Sequence, residues 1–403
     1  MNLEPHFVSV VISVCVLLFA AKLMAELFVR LKLPIVLGEL IAGMIVGPFA
    51  IGSLIVIQGE TLLQLNQEVK ILGEIGAIVI LFMAGLEMTP REFIKGGKAS
   101  FTVGTLGVIV PFFVGFFVFQ LFGFHAFQAM LVATALTATS IAISVQVLSE
   151  FGKLKTPEAR LIIGAAVVDD ILAIAVLSIV TSIDPAVAEV NIIEITFTIF
   201  KVLGFFAAMA IAAIFIVPRV VGSRLWKAGG AIEGVVTAAF FGAAGVAASI
   251  GLSPILGSFV VGMALASTKV FERVEHYISK LGLIFAPLFF AIIGAQVDFR
   301  GINGEILIIA AVIIGVAVAT KLIGCGLPAW PFLKNKAQSK RVGIAMISRG
   351  EVGLIVAGVG LSSGVLTSNV YTTIVIMVAI TTIITPVWLK MEYRKELKES
   401  PQS

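Results

Sequence analysis

Long apolar stretches recur along nearly the whole chain, and they restrict its fold more than any other feature. A helix rises about 1.5 Å per residue, so roughly 20 apolar residues are enough to cross a hydrocarbon layer of about 30 Å. Hydrophobic residues make up 59% of the 403 residues and charged residues 13%, a balance that no soluble globular core requires. The sequence therefore predicts an all-α polytopic membrane protein.

Thirteen transmembrane helices are predicted from these stretches. Their spans are 7–29, 35–55, 69–88, 99–123, 126–149, 157–182, 191–217, 231–250, 253–268, 278–298, 304–327, 340–363 and 369–391. An odd number of spans places the two termini on opposite faces of the membrane.

The charges of the loops indicate the orientation of the chain. Loops on one side carry many basic residues, such as Arg91, Lys153 and Lys336, whereas loops on the other side carry Lys70 and Arg300 alone. Since Lys and Arg accumulate on the cytoplasmic side, we expect the amino terminus outside and the carboxyl terminus in the cytoplasm. Orientation and contact with anionic lipid account for the basic loops, so no nucleic-acid partner is expected.

Two sequence patterns occur twice, seven spans apart. Residues 34–44 of span two resemble residues 254–263 of span nine, and residues 81–87 of span three resemble residues 289–298 of span ten. An odd separation means that the two copies cross the membrane in opposite directions, as in many secondary transporters. The pattern predicts two inverted six-helix repeats joined by span seven as a linker helix, although Gly-rich membrane helices also resemble one another by chance.

Two adjacent acids lie in the middle of span six. Asp169 and Asp170 are about 18 Å along a helix that begins near Pro157, which is the depth of the bilayer centre. A charge at this depth costs at least about 2.5–3.5 kcal/mol, so carboxylates persist there only with partners or a function. Neighbouring helical residues point about 100° apart, so the two carboxylates are expected to have different roles; a structural ion pair is the alternative.

The best candidate for a buried base is Lys321 in span eleven. Its ammonium would pair with one of the two acids. It lies six residues from the predicted end of its span, so it can also extend to the cytoplasmic surface as an ordinary snorkelling lysine.

Polar runs interrupt spans five and twelve. Span five carries Thr137, Thr139 and Ser140, and span twelve carries Arg349 and Glu351. We predict that both helices are broken and cross each other, that free carbonyls there ligate a cation, and that Arg349 and Glu351 compensate the facing helix ends. Alternatively, the hydroxyl groups bond back to their own helix.

Several of these motifs together resemble a known family. They are Pro34 to Glu39, Ala138 to Ser140, Gly164 to Asp170, Lys321, and Arg349 to Ile355. In this order the chain resembles the monovalent cation/proton antiporter superfamily, specifically its NapA-like prokaryotic sodium/proton antiporters. The resemblance covers the chain from span one to span thirteen.

The resemblance implies a homodimer with an elevator-like alternating-access mechanism. Residues 1–98 and 231–300 would form a dimerisation domain, 99–182 and 301–391 the core ion-transport domain, 183–230 a linker helix region, and 392–403 a short cytoplasmic tail. In the family the second Asp, here Asp170, carries cation and proton in competition, and the first, here Asp169, pairs with the buried Lys, here Lys321. The implied location is a prokaryotic inner membrane, and no cofactor is expected besides the transported sodium ions and protons.

The expected function is electrogenic exchange of sodium, or lithium, for protons, and the protein is not expected to be an enzyme. Relatives that release potassium under ligand control usually have a long cytoplasmic domain after the last span and often Gln-Asp; the Asp-Asp pair and the short tail expected here argue against gated potassium efflux. A potassium/proton antiporter or potassium efflux transporter is the alternative. A sodium-coupled solute symporter and a cation channel share some of these features. An intramembrane aspartyl protease would need carboxylates that converge from two helices, which adjacent acids do not provide.

Overall fold

The structure of the chain is a computed structural model. It describes residues 5–31, 33–54, 56–57, 60–61, 63–182, 192–223, 225–250, 252–298 and 304–399.

Helices dominate this part of the chain. They are α1 (Pro5–Arg30), α2 (Ile35–Val46), α3 (Gln67–Leu86), α4 (Pro90–Leu121), α5 (Ala126–Thr137), α6 (Ile141–Glu150), α7 (Pro157–Ser182), α8 (Ile192–Val221), α9 (Ala231–Ser249), α10 (Pro254–Leu265), α11 (Phe271–Ala295), α12 (Gly304–Lys321), α13 (Leu327–Leu333), α14 (Lys336–Ala345), α15 (Glu351–Ser362) and α16 (Ser368–Glu399). A 3-10 turn follows α2 at Ile51–Ser53, and a π-helical turn joins α12 to α13 at Leu322–Gly326. Two strands of two residues each, β1 (Val56–Ile57) and β2 (Glu60–Thr61), form a small antiparallel ladder in the loop before α3.

The predicted helical membrane architecture is confirmed. Within the described residues, ten helical segments are long and apolar enough to cross a membrane, and two shorter apolar helices accompany them. Each predicted span coincides with one helix or with two consecutive helices, as span five does with α5 and α6. The number of thirteen spans and the inverted repeat remain predictions.

The helices pack in two groups. The first helix group contains α1, α2, α3, α9, α10 and α11, and the second contains α4 to α7 and α12 to α16. Helix α8 contacts α9 and α10 of the first group and α7 of the second. The two groups meet where α2 contacts α6 and α16, and where α3 contacts α6.

Two close crossings in the first group use glycines from the repeated sequence patterns. A Cβ atom at Gly43 of α2 would collide with the carbonyl of Ala291 in α11, and one at Gly294 of α11 would collide with the carbonyl of Leu40. Helices α10 and α3 cross in the same way, at Gly262 and Gly85. Because Gly43 corresponds to Gly262 and Gly85 to Gly294 in the two patterns, the same pair of motifs makes both contacts.

Helices α4 and α16 extend beyond the spans predicted for them. Helix α4 begins at Pro90, nine residues before predicted span four, so the predicted domain boundary at residue 98 falls inside a helix. Thr89 and Glu92 form a capping box that starts the helix in the polar region before the apolar stretch. Helix α16 continues into the predicted tail up to Glu399. Ion pairs of Glu392 with Lys340 and of Glu396 with Arg341 connect this part of the helix to α14.

Two other expectations fall partly outside the described residues. In the predicted linker region, residues 183–191 lie outside them. The same is true of the side chain of Glu351, whose backbone begins α15.

Candidate functional site

The two acids lie in the middle of α7 and are buried. Asp169 is 0% exposed and Asp170 is 3% exposed. Helix α7 forms because its apolar residues continue without interruption on both sides of the acids, and its first turn carries Glu158, which suits a helix amino terminus. The acids therefore lie about 18 Å from the start of the helix, as the sequence predicts.

Lys321 forms an ion pair with the first acid. Its Nζ atom lies 2.7 Å from Oδ1 of Asp169, and both side chains are fully buried. Lys321 therefore does not extend to the cytoplasmic surface in this structure. Oδ2 of Asp169 has no hydrogen-bond partner among the described residues. The Asp169 carboxylate thus pairs with the ammonium group of a residue that lies 152 positions later in the chain.

The backbone of α4 packs directly against this ion pair. A Cβ atom at Gly107 would lie 2.6 Å from the sulfur of Cys325, 3.4 Å from Oδ1 of Asp169 and 3.5 Å from Nζ of Lys321. Cys325 belongs to the π-helical turn that directly follows Lys321. A side chain at position 107 would therefore disturb the packing around the pair.

Both polar runs interrupt their helices, and the interruptions cross. Residues 138–140 separate α5 from α6, and residues 346–350 separate α14 from α15. At the crossing, the Ser140 backbone N–H donates to the Ser348 carbonyl at 2.9 Å, and the Ser348 hydroxyl donates to the Ser140 carbonyl at 3.1 Å. Peptide groups that lose their helical partners are thus satisfied by the other broken helix, as burial in an apolar region requires.

Arg349 is fully buried at this crossing. Its Nη1 atom donates to the carbonyls of Met346 at 3.0 Å and Ile347 at 3.2 Å, directly after the carboxyl end of α14. A cation there is favourable because the carbonyls at the end of a helix carry partial negative charge. Arg349 and Lys321 also interact electrostatically with Asp169, which makes one buried charged cluster of the three side chains.

The hydroxyl groups of span five differ in their contacts. The Thr137 hydroxyl donates to the carbonyl of Thr134 at 2.8 Å, so this residue bonds back to its own helix. Thr139 reaches across to the Met346 carbonyl at 3.5 Å, which is a weak contact. The Ser140 hydroxyl is buried and has no hydrogen-bond partner among the described residues. A buried hydroxyl oxygen of this kind is a ligand that suits a hard monovalent cation.

Sequence reasoning missed several residues of the site. The Ser348 hydroxyl donates to the Ser140 carbonyl at the crossing, and the Thr382 hydroxyl of α16 donates to the carbonyl of Arg349 at 2.8 Å. Ser348 directly precedes Arg349 in the polar run of span twelve, and this position in the sequence indicates that it belongs to the candidate site. Gly107 and Thr382 carry no such signal, because glycine and threonine are common in membrane helices.

Comparison with known proteins identifies the family of the chain. The family described as "Sodium/hydrogen exchanger, transmembrane" matches residues 14–393. The Na(+)/H(+)-K(+) antiporter GerN of Bacillus cereus is 36% identical over 385 residues, which cover 94% of this chain and 95% of that protein. The high-affinity Na(+)/H(+) antiporter NhaS3 of Synechocystis is 35% identical over 426 residues, which cover 97% of this chain and 91% of that protein.

A solved structure has a similar fold. The sodium proton antiporter MjNhaP1 of Methanocaldococcus jannaschii at pH 8 superimposes with a TM-score of 0.67 at 16% sequence identity, over 98% of this chain and 99% of that one. At this identity the similarity concerns the fold alone.

Proposed function

Because this chain belongs to the family of transmembrane sodium/hydrogen exchangers, we propose that it exchanges sodium, or lithium, for protons, with both competing at Asp170. The observation that carries the proposal is the buried pair on α7, in which an ammonium group neutralises Asp169. Asp170 is the next residue along the helix and points about 100° away from Asp169. The two acids thus have different surroundings, as separate roles in ion pairing and transport require.

Competition at one carboxylate is sufficient for coupled exchange. A bound proton and a bound cation each neutralise Asp170, so the site crosses the membrane readily with either one. The empty site is negatively charged, and a charge in the bilayer centre costs at least about 2.5–3.5 kcal/mol, so the empty site crosses slowly. Each cycle then carries a cation one way and protons the other way.

The neighbouring residues are proposed to assist Asp170. We assign Ser140, Thr139 and Thr137, with the carbonyls of the interrupted helix, to the path along which a cation leaves water and reaches Asp170. Arg349 offsets the carboxyl end of α14, which its two hydrogen bonds to Met346 and Ile347 support. Glu351 would offset the amino end of α15.

The exchange is proposed to be electrogenic. If Lys321 releases its proton when sodium binds, two protons move against one sodium ion, and each cycle carries one net charge. The ion pair of Lys321 with Asp169 supports this stoichiometry because it places a second titratable group beside the carrier.

Movement of the second helix group against the first gives alternating access. The second group holds the acids, Lys321 and both interrupted helices, and it meets the first group along α2 and α3. In this elevator-like cycle the first group corresponds to the dimerisation domain of a homodimer. The proposed location is a prokaryotic inner membrane, with the amino terminus outside and the carboxyl terminus in the cytoplasm.

Potassium is the second candidate ion. One relative is named a Na(+)/H(+)-K(+) antiporter, so a potassium/proton antiporter or potassium efflux transporter is the alternative for this chain. The cation series in the vesicle experiment below distinguishes the two functions.

Purified protein in sealed vesicles tests the proposal. Sodium, lithium or potassium chloride is added outside acid-loaded vesicles, and the internal pH is followed with a fluorescent dye. We expect sodium and lithium to raise the internal pH, and potassium to do so less. No alkalinisation with any of the three cations, in vesicles that hold folded protein, would contradict exchange; a response to potassium alone would favour the second candidate.

A further inference from the structure

Helix α2 of the first group begins without a cap of its own. The residue before it is Pro34, whose side chain makes no capping hydrogen bond. The first N–H groups of a helix have no partner within the helix and need an acceptor from elsewhere when they are buried. In α2 these include the N–H groups of Ile35 and Val36.

Glu150 of the second helix group supplies that acceptor. The N–H of Ile35 donates to Oε2 of Glu150 at 3.0 Å, and the N–H of Val36 donates to Oε1 at 3.1 Å. A carboxylate that accepts from two N–H groups at a helix amino terminus gains from charge-assisted hydrogen bonds and from the helix dipole. The contact joins residues more than 110 positions apart, on opposite sides of the boundary between the two groups.

Glu150 is rigidly linked to the candidate ion site. It is the last residue of α6, which begins at Ile141 directly after the crossing at Ser140. A helix of ten residues is a rod of about 15 Å, so a movement of the crossing relative to α2 also moves Glu150. Hydrogen bonds of about 3 Å do not survive a displacement of several ångströms.

A second polar contact between the groups lies nearby. Nζ of Lys155, in the loop after α6, is 3.3 Å from Oε2 of Glu87 at the end of α3, but the Lys155 side chain is 70% exposed. An exposed ion pair of this kind contributes little. The two hydrogen bonds of Glu150 are therefore the stronger polar connection of the two.

We propose that Glu150 is a conformational latch: its carboxylate holds the second helix group against α2 in the conformation seen here and has to release Ile35 and Val36 in each transport cycle. The proposal rests on the relative movement of the two helix groups under the proposed function. Removing the carboxylate lowers the population of this conformation without removing any residue of the ion site.

The test measures the conformation at the other end of α2. There Val297, after α11, packs against Val375 of α16, with Met44 of α2 beside them. The parent protein for this test carries Cys15→Ser and Cys325→Ala together with the reporter substitutions Val297→Cys and Val375→Cys. The rate at which the two reporter positions crosslink in lipid vesicles is measured with Glu150 and with Glu150→Ala. Glu26→Ala is the matched control, because Glu26 pairs with Arg30 on the exposed side of α1.

We expect Glu150→Ala to lower the equilibrium constant for this conformation by roughly tenfold, the factor that corresponds to about 1.4 kcal/mol, and to slow crosslinking in proportion to the lost population. Glu26→Ala should crosslink like the parent protein. A residue that only stabilises the fold would lower the melting temperature and leave the crosslinking rate unchanged, and this result would overturn the latch. Should Glu150→Ala not fold, Glu150→Gln keeps the size of the side chain and one acceptor oxygen, and the same slowing, by a smaller factor, is required of it.

The same preparations separate this proposal from the function. Parent protein without cation-dependent proton movement would contradict the exchange function, whatever the crosslinking shows. Active parent protein whose crosslinking rate does not respond to Glu150→Ala or to Glu150→Gln would contradict the latch alone.

Discussion

At the scale of single residues, the candidate site contains two neighbouring buried carboxylates, and the first of them has an ionic partner. Asp169 faces the ammonium group of Lys321 at 2.7 Å, with both side chains inaccessible to water. An isolated charge would not persist at this depth, and the ion pair accounts for the first acid; the proposed function assigns cation and proton binding to the second. Each residue is thus assigned a separate and testable role.

Replacement of Asp170 by Asn is expected to abolish exchange and to leave a folded protein. The amide has nearly the same shape as the carboxylic acid but neither binds a proton reversibly nor neutralises a cation. The measurement is the cation-dependent rise of internal pH in vesicles, together with the elution profile of the purified protein. Retention of the full rate by Asp170→Asn would remove Asp170 from the proposed role.

Replacement of Lys321 by Ala leaves the Asp169 carboxylate buried without its partner. Removing one side of a buried ion pair costs about 3–5 kcal/mol when the other charge stays, so the melting temperature should fall clearly. Lys336→Ala is the control, because Lys336 is exposed at the start of α14. Equal melting temperatures of the two variants would show that the pair contributes nothing to stability.

At the scale of helices, the two interrupted helices depend on close approach. A Cβ atom at Gly350 would lie 2.8 Å from the Cβ of Ser140 and 2.9 Å from its hydroxyl oxygen. Both interruptions also share reciprocal hydrogen bonds between Ser140 and Ser348. The position of one broken helix therefore determines the position of the other.

Replacement of Gly350 by Ala should push the two interruptions apart. We expect at least a tenfold loss of exchange rate, because a misplacement of about 1 Å in a site is sufficient for such losses. Gly358→Ala is the matched control in α15, since a Cβ atom there meets nothing within 4 Å and alanine favours a helix. Similar rates for Gly350→Ala and Gly358→Ala would contradict the importance of the crossing.

At the scale of the whole molecule, the acids and Lys321 lie in the second helix group, and both glycine crossings made by the repeated sequence patterns lie in the first. The glycines of α2, α3, α10 and α11 bring backbones into direct contact, which makes the first group a suitable rigid support. The second group contacts this support at few helices, α6 and α16 among them. Such a division is compatible with movement of one group as a unit.

Voltage dependence tests the proposed stoichiometry of the whole cycle. With two protons exchanged for one sodium ion, one charge crosses per cycle, and this charge is worth about 2.3 kcal/mol per 100 mV. A membrane potential imposed with potassium and valinomycin should therefore accelerate exchange in one polarity and slow it in the other. Identical rates at both polarities would indicate electroneutral exchange.

The sequence by itself determined the features that depend on local composition and on the thickness of a bilayer. The apolar stretches, the central position of Asp169 and Asp170 and the polar runs of spans five and twelve all follow from residues close together in the chain. The physical reason is that each membrane helix must satisfy its own backbone and match the hydrocarbon layer before it meets any neighbour.

Only the tertiary structure decided which distant groups meet. It brought Lys321 to Asp169, Ser348 to Ser140 and Glu150 to the start of α2. It also showed that α4 begins at the capping box of Thr89 and Glu92, and that Gly107 lies against the ion pair. These contacts depend on the packing of helices far apart in sequence, and residue types that are common in every membrane helix carry no local signal of their partners.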